Sequence, residues 1–366
     1  MTRKKVIVTG ALGVVGRAVV ERLAQRAGWT IVGLARRAPD AGLRASLEGA
    51  PARIEWIGCD LRDAAATRSA LAPHRDAARL VFAALHEKPD LARGWLDPDH
   101  VAVNRAMLDH VLAALEGASL EHVALLQGTK AYGGHAGHAM RVPAREQDAI
   151  RDDRTFYFAQ QDSLERAAGR AGFRFTLLRP QIVLGVAVGS AMNPVATFGA
   201  WAAILRALGR PLVFPGHPHA LAECVDARIV ASAIEWSADE PRAAGEAFNL
   251  ANGDVVVWRT LFRRLADHFG MPLVDEPGSV AAAMAGQAER WRTIAQREGL
   301  RIADLDALIG LSWQYADVLW ANPQPQPVPA LVSTIKARRL GFADCIDTER
   351  CVIDHLEAMR RLRYLP

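Results

Sequence analysis

The run Val6-Ile7-Val8-Thr9-Gly10-Ala11-Leu12-Gly13-Val14-Val15-Gly16 constrains this chain more than any other stretch. An apolar segment of strand character breaks into glycines spaced three apart, and an amphipathic segment carrying Val19, Val20 and Leu23 follows at once. Strand, tight turn and helix in that order make a dinucleotide site. Gly10 permits the turn, Gly13 lets the backbone approach a pyrophosphate, and Gly16 lets helix and strand pack closely. The free N–H groups and positive end of the new helix then face the phosphates. Thr9, Gly10, Gly13, Val14, Val15 and Gly16 are the expected cradle.

The strand-then-helix order repeats through the first half. Apolar runs near 4–9, 30–35, 53–58, 79–84, 120–127 and 173–178 read as strands. Helical patterns near 14–27, 41–48, 63–71, 99–117 and 159–171 lie between them. This alternation predicts an α/β fold, a Rossmann-type doubly wound parallel sheet with helices on both faces. After Arg179-Pro180 the alternation stops. An apolar helix near 194–208 and a turn-rich strand around Pro211 to Gly216 follow, and a strand from Glu246 returns to the sheet. Helices near 257–269, 278–297 and 348–361 complete a smaller, mainly helical C-terminal substrate lobe. The expected division is 1–183 with 220–255 for the nucleotide-binding domain, and 184–219 with 256–366 for the lobe. Pro323, Pro325, Pro327 and Pro329 mark an extended surface stretch, and core packing explains the tryptophans of this half at least as well as substrate contact. The apolar surface of the 194–208 helix reads as a pocket wall or as the seam of a homodimer.

Composition removes several function classes. The 44 basic residues stand against 40 acidic ones with both signs mixed along the chain, and no basic block with interleaved aromatics appears. That argues against a nucleic-acid partner. There is no charged-then-apolar leader and no apolar run of about 18 residues, so neither export nor a membrane partner is expected. Cys59, Cys224, Cys345 and Cys351 show neither C-x-x-C nor zinc-ligand spacing, which fits reduced thiols in a cytoplasm. His135-x-x-His138 and His217-Pro-His219 lack a completing ligand at the usual spacing and read as loop histidines, so no metal is expected. His135 and His138 can still edge the pocket, because they follow Lys130 closely.

The end of the second strand bears on the cofactor. Val32-Gly33-Leu34-Ala35-Arg36-Arg37 carries no acid where a ribose 2′-hydroxyl would need one, and arginine instead pairs with a 2′-phosphate. Arg36 and Arg37 therefore favour NADPH/NADP+, the alternative being two solvated arginines. Asp60-Leu61 would lie by the adenine, and Ala83-Ala84 would flank the adenosine ribose and pyrophosphate.

The G-x-x-G-x-x-G spacing resembles that of the short-chain dehydrogenases/reductases, which usually carry Tyr-x-x-x-Lys. One helical turn then brings the ammonium to the phenol. Here Tyr132, Tyr157, Tyr315 and Tyr364 all lack that lysine, and the fourth neighbour of Tyr157 is Gln161. Lysine is scarce, yet Lys130 closes the fifth strand in Leu125-Leu126-Gln127-Gly128-Thr129-Lys130, at the end of the sheet where ligands bind. It is either a solvated side chain or, since the usual pair is broken, the missing cation.

Taken together, these stretches resemble the PRISE family of extended short-chain reductases, the progesterone 5β-reductase and iridoid synthase relatives. The matches include Gly58-Cys59-Asp60-Leu61, Leu126-Gln127-Gly128-Thr129-Lys130, Thr155-Phe156-Tyr157-Phe158 and Arg179-Pro180, in the family's order along nearly the whole chain. The resemblance implies NADPH-dependent 1,4-reduction of activated C=C bonds in a small apolar carbonyl-containing substrate. It makes Tyr157 and Lys130 catalytic and adds both of them, with Gln127, Pro180, Ile182 and Val183, to the cofactor contacts. Phe158 and Gln161 depart from the family's tyrosine and glutamate, and Phe82-Ala83-Ala84-Leu85 replaces an aromatic-rich strand exit. In the implied mechanism Tyr157 donates to the developing oxyanion with Lys130 close by. A cation about 4 Å away contributes up to roughly 4 kcal/mol at an effective dielectric near 20, which would bring a phenol titrating near 10 toward neutrality. Carbonyl reduction by the same pair, epimerase or dehydratase chemistry, and a non-catalytic NADP-binding regulator remain as competing readings.

Overall fold

The computed structural model describes residues 4–321 and 329–366. Among these, seven strands form one parallel sheet: β1 (Lys4–Thr9), β2 (Trp29–Ala35), β3 (Arg53–Gly58), β4 (Arg79–Phe82), β5 (His122–Leu126), β6 (Arg174–Pro180) and β7 (Glu246–Leu250). Their spatial order is β7-β6-β5-β4-β1-β2-β3, every neighbouring pair parallel. The central strand shows why its sequence is nearly all apolar. Val6 and Val8 bury in one core cluster and Ile7 in another, because side chains alternate across a sheet covered on both faces. Helices α1 (Val14–Ala24) and Ala227–Asp239 cover the first face, while α2 (Pro98–Ala114) and α3 (Phe156–Ala171) cover the second.

Strand order reverses between β1 and β4, so the crevice at their carboxyl ends is the topological switch point where such sheets bind ligands. Gly10 sits there at φ +66°, and a β-carbon on it would meet the Ala83 carbonyl oxygen at 2.5 Å. Only glycine brings the β1 turn this close to the β4 exit.

Several expected bounds shift. β4 stops at Phe82, leaving Ala83 and Ala84 in the loop, and the helix expected over 278–297 is two, Val280–Met284 and Ala288–Glu298, parted at Gly286 with φ +76°. Pro323, Pro325 and Pro327 lie outside the described residues. Ala337 and Phe342 bury beneath the sheet rather than in the lobe, so the chain around 335–342 returns to the nucleotide-binding unit.

The lobe has its own core. Pro194–Ala207 is buried along most of its length there, with Phe198 stacked on Trp320 at 4.6 Å between ring centroids. That helix is therefore interior to the lobe and supplies neither the expected pocket wall nor a dimer seam. Trp201, Trp258, Trp291, Trp313 and Trp320 belong to this core, as expected. No helix among the described residues is long and apolar enough to cross a membrane.

Candidate active site

The carboxyl ends of the strands open into a cavity of about 980 Å³ that continues under the helix Ser312–Leu319 of the lobe. At its first end lie Gly10, Gly13, Val14 and Val15. Gly13 caps α1 without any side-chain hydrogen bond, and no acid occupies the first turn, so the leading N–H groups of α1 keep their capacity for an anion. A β-carbon on Gly13 would touch only the Gly10 oxygen, at 3.3 Å. Two expected cradle residues stand back from the cavity. Thr9 is fully buried with its hydroxyl donating to the Val81 carbonyl, and Gly16 packs so tightly that a β-carbon would come within 2.2 Å of the Gly10 oxygen. They frame the cradle from beneath.

Arg36, Arg37, Asp60, Leu61, Ala83 and Ala84 line the next portion. Arg37 donates to the Val188 carbonyl of the lobe, and burial lowers its pKa. It is tied to the opposite wall, whereas Arg36 is exposed and makes no side-chain hydrogen bond among the described residues. Asp60 pairs side-on with Arg62, whose hydrogen bonds hold the carboxyl at about 2.

The far end holds Gln127, Lys130, Tyr157, Pro180, Ile182 and Val183. A short 3-10 turn, Thr129–Tyr132, follows β5 and delivers Lys130, while α3 starts at Phe156 and puts Tyr157 in its first turn. Gln127 fastens these elements together. Its amide nitrogen donates to the Tyr157 carbonyl at 3.2 Å, and its oxygen accepts from Arg179 at 2.9 Å. The Tyr157 ring is edge-on to Phe156, 4.7 Å between centroids, which is itself edge-on to His100.

The electrostatics correct one expectation. Burial drives the Tyr157 phenol well above its ordinary value, and the nearby Glu87 and Tyr315 push in the same direction. No hydrogen bond joins Lys130 to Tyr157 among the described residues. The Lys130 Nζ instead lies 3.6 Å from the centre of the Trp95 ring and 3.9 Å from Glu87 Oε1. Burial lowers its pKa to about 8, with Glu87 opposing the drop. The phenol is thus a neutral hydrogen-bond donor in a cavity shared with the ammonium, not a group brought toward ionisation.

Four neighbours escaped the sequence reading. Glu87 lies within His86-Glu87-Lys88-Pro89-Asp90, which has the look of a solvated loop, yet its side chain is 4% exposed. Trp95 and His100 follow in the same crossover. Tyr315 lines the cavity from Ser312–Leu319, and burial raises its pKa as well. None lies at a motif spacing, so only the fold could bring them together. The paired histidines separate: His135 lines the cavity, where burial and Lys130 lower its pKa to about 4, while His138 pairs with Asp152 at 2.7 Å outside it. Away from the cavity, Asp226, Cys351 and His355 bring ligand-type atoms within 4.8 Å of one another, but Arg228 already grips the Asp226 carboxylate.

Comparison with known proteins accords with this architecture. The model of the NAD dependent epimerase/dehydratase family matches residues 6–251. The (S)-8-oxocitronellyl enol synthase of Catharanthus roseus is 27% identical over 380 residues, covering 98% of this chain and 92% of the relative. The 3-oxo-Delta(4,5)-steroid 5-beta-reductase of Arabidopsis thaliana is 27% identical over 382 residues with the same coverage of both. Among solved structures, UDP-glucose 4-epimerase of Thermotoga maritima with UDP-glucose superposes with a TM-score of 0.69 at 16% identity, covering 98% of this chain and 99% of that one. UDP-glucose 4-epimerase of Thermus thermophilus, in complex with NAD, gives 0.66 at 16%, covering 97% and 99%. These two speak for the fold alone. The resemblance read from the motifs thus extends along the full chain, and the protein belongs to the NAD dependent epimerase/dehydratase family, as an oxidoreductase of the extended short-chain type with PRISE-like relatives.

Proposed function

We propose that this protein reduces the activated C=C bond of a small, mostly apolar enone or enal by 1,4-addition, using NADPH. The observation that carries the reading is the Tyr157 phenol and the Lys130 ammonium in one cavity with the glycine cradle, the arrangement expected from the enone-reductase resemblance. The enol synthase and steroid reductase relatives support it. The dinucleotide fits the residues present. The α1 N-terminus is uncapped by any side chain, and Arg36 is unengaged among the described residues at the β2 end, where a 2′-phosphate would sit.

When bound, the cofactor would supply hydride to the β-carbon of the substrate; negative charge would gather on the substrate oxygen, and the resulting enolate would take a proton from solvent water at its α-carbon to give the saturated product. Tyr157 donates a hydrogen bond to that oxygen. A donor placed where charge develops is worth about 2.7–4 kcal/mol, and its raised pKa keeps the phenol protonated throughout. Lys130 adds positive potential within the same cavity. Met192, Leu221, Trp258, Leu311, Val318 and Leu319 give the lobe side an apolar lining that excludes water and suits an apolar substrate body. Tyr315 offers a second phenol there for a further acceptor on the substrate.

The test is NADPH consumption against a panel of small enones, enals and steroid enones, with products identified. A saturated ketone or aldehyde is expected. An allylic alcohol would move the reading to carbonyl reduction, and binding without turnover would move it to a regulator.

A further inference from the structure

We infer that Glu87 is a positioning residue: its buried carboxylate, 3.9 Å from the Lys130 Nζ, is the counter-charge that keeps the ammonium in place in the cavity. The inference rests on the reductase reading only for its consequence in turnover; the electrostatic relation stands by itself.

Glu87 is an unusual group to bury. Its side chain is 4% exposed, and neither carboxylate oxygen has a hydrogen-bond partner among the described residues. Such a carboxylate is tolerated only beside compensating positive charge or donors. Two groups approach it: Lys130 Nζ at 3.9 Å from Oε1, and His100 Nε2 at 3.1 Å from Oε2. The adjacent Lys88 does not compete, since it turns away to Asp97 and Asp99 at 2.7 and 2.8 Å.

The other groups facing the ammonium do not supply a negative charge. Trp95 offers its ring face and His135 is held neutral by burial, while Tyr157 and Tyr315, elsewhere in the cavity lining, are phenols whose pKa values burial raises. Glu223, another buried carboxylate of the cavity, is engaged by Gln181 and by the Val332 N–H. Desolvation pulls Lys130 toward the neutral amine; the Trp95 ring face and Glu87 oppose it, and of these Glu87 alone carries a full negative charge. At 3.9 Å the ammonium and the carboxylate attract without a hydrogen bond, so the ammonium protons remain available to whatever enters the cavity. A closer salt bridge would sequester them.

The experiment follows the Lys130 side-chain carbon shift by NMR through a pH titration of the full-length protein, assigned with Lys130→Met, in wild type, Glu87→Gln and Glu87→Asp. Glu87→Gln is expected to lower the Lys130 midpoint by about one to three units, the range for removing a charge near 4 Å at a protein-like dielectric. Glu87→Asp, which retains the charge, should recover most of that shift. Turnover of an enone measured in parallel should show its alkaline limb moving acidward by the same amount, with NADPH affinity unchanged. A Lys130 midpoint that stays put in Glu87→Gln overturns the inference. A midpoint that moves while the rate profile does not would uphold it and remove Lys130 from the proposed reaction.

Discussion

The Tyr157 hydroxyl oxygen lies 2.8 Å from the point where a β-carbon on Gly128 would stand. The backbone of Gly128 is extended, φ 175°, and would accept any residue. What glycine provides is room for the phenol at the exit of β5. Gly128→Ala should therefore fold normally and displace the hydroxyl from the oxyanion position. A misplacement of about 1 Å can cost on the order of 10²-fold in kcat. Stopped-flow reduction of an enone checks this, and a variant at full rate would mean the phenol is not where the charge develops.

Removing the hydroxyl asks the same question more directly. Tyr157→Phe should lower kcat by about 10²–10³-fold, much more than it lowers NADPH affinity, since the ring and its edge contact with Phe156 remain. Loss of cofactor binding in equal measure would make Tyr157 a packing residue.

The pH profile should report Lys130. Its pKa is lowered to about 8, chiefly by burial, so the charged form prevails below that value and is lost above it. Turnover should fall as pH rises through about 8, and Lys130→Met should be slow at every pH without that limb. Tyr157 contributes no limb in this range, because burial moves its ionisation the other way.

Cofactor choice should divide the two arginines. Arg36 is exposed and unengaged among the described residues, whereas Arg37 is tied to Val188. Arg36→Ala should weaken NADPH by about 10- to 100-fold, the worth of one or two charge-assisted hydrogen bonds, with little change for NADH. Arg37→Ala should weaken both alike by freeing the Val188-Gly189 wall. Titration by fluorescence distinguishes them, and equal affinity of the wild type for NADH and NADPH would count against the 2′-phosphate assignment.

The sheet was legible because its signals are local. All seven strands of the sheet, the one from Glu246 included, and the glycine turn follow from local runs and spacing, and Gly10, Gly13 and Gly16 are each readable from a turn, an approach and a close packing. Lys130 and Tyr157 were found through a missing motif and a family likeness. The charge around them was not. Glu87 and Trp95 sit in the crossover before α2, and His100 in the first turn of α2; they come together only when this segment packs under the lobe, and no periodicity records that. The same holds for Arg37, whose partner Val188 is 151 positions away.

A final prediction concerns the joint between lobe and sheet. Asp226 starts the helix Ala227–Asp239 as its N-cap, accepting from the Arg228 N–H at 2.7 Å, and is buried with Cys351 Sγ at 3.1 Å and His355 Nε2 at 3.1 Å. Burial alone would raise its pKa, but the close approach of His355 and the hydrogen bonds from Arg228 outweigh it and hold the carboxyl well below the usual carboxylate range. Such a group adds stability above the unfolded pKa near 3.9, and that contribution is lost as pH falls toward the folded value. Asp226→Asn keeps a good N-cap while removing the charge. It should cost about 3–5 kcal/mol at neutral pH, as for one partner lost from a buried pair, and the gap from wild type should narrow as pH drops below about 4. Urea denaturation at neutral and acid pH measures both. A gap that stays constant down to acid pH would mean that Asp226 carries no charge in the folded protein and does not fasten the lobe to the sheet as an ion.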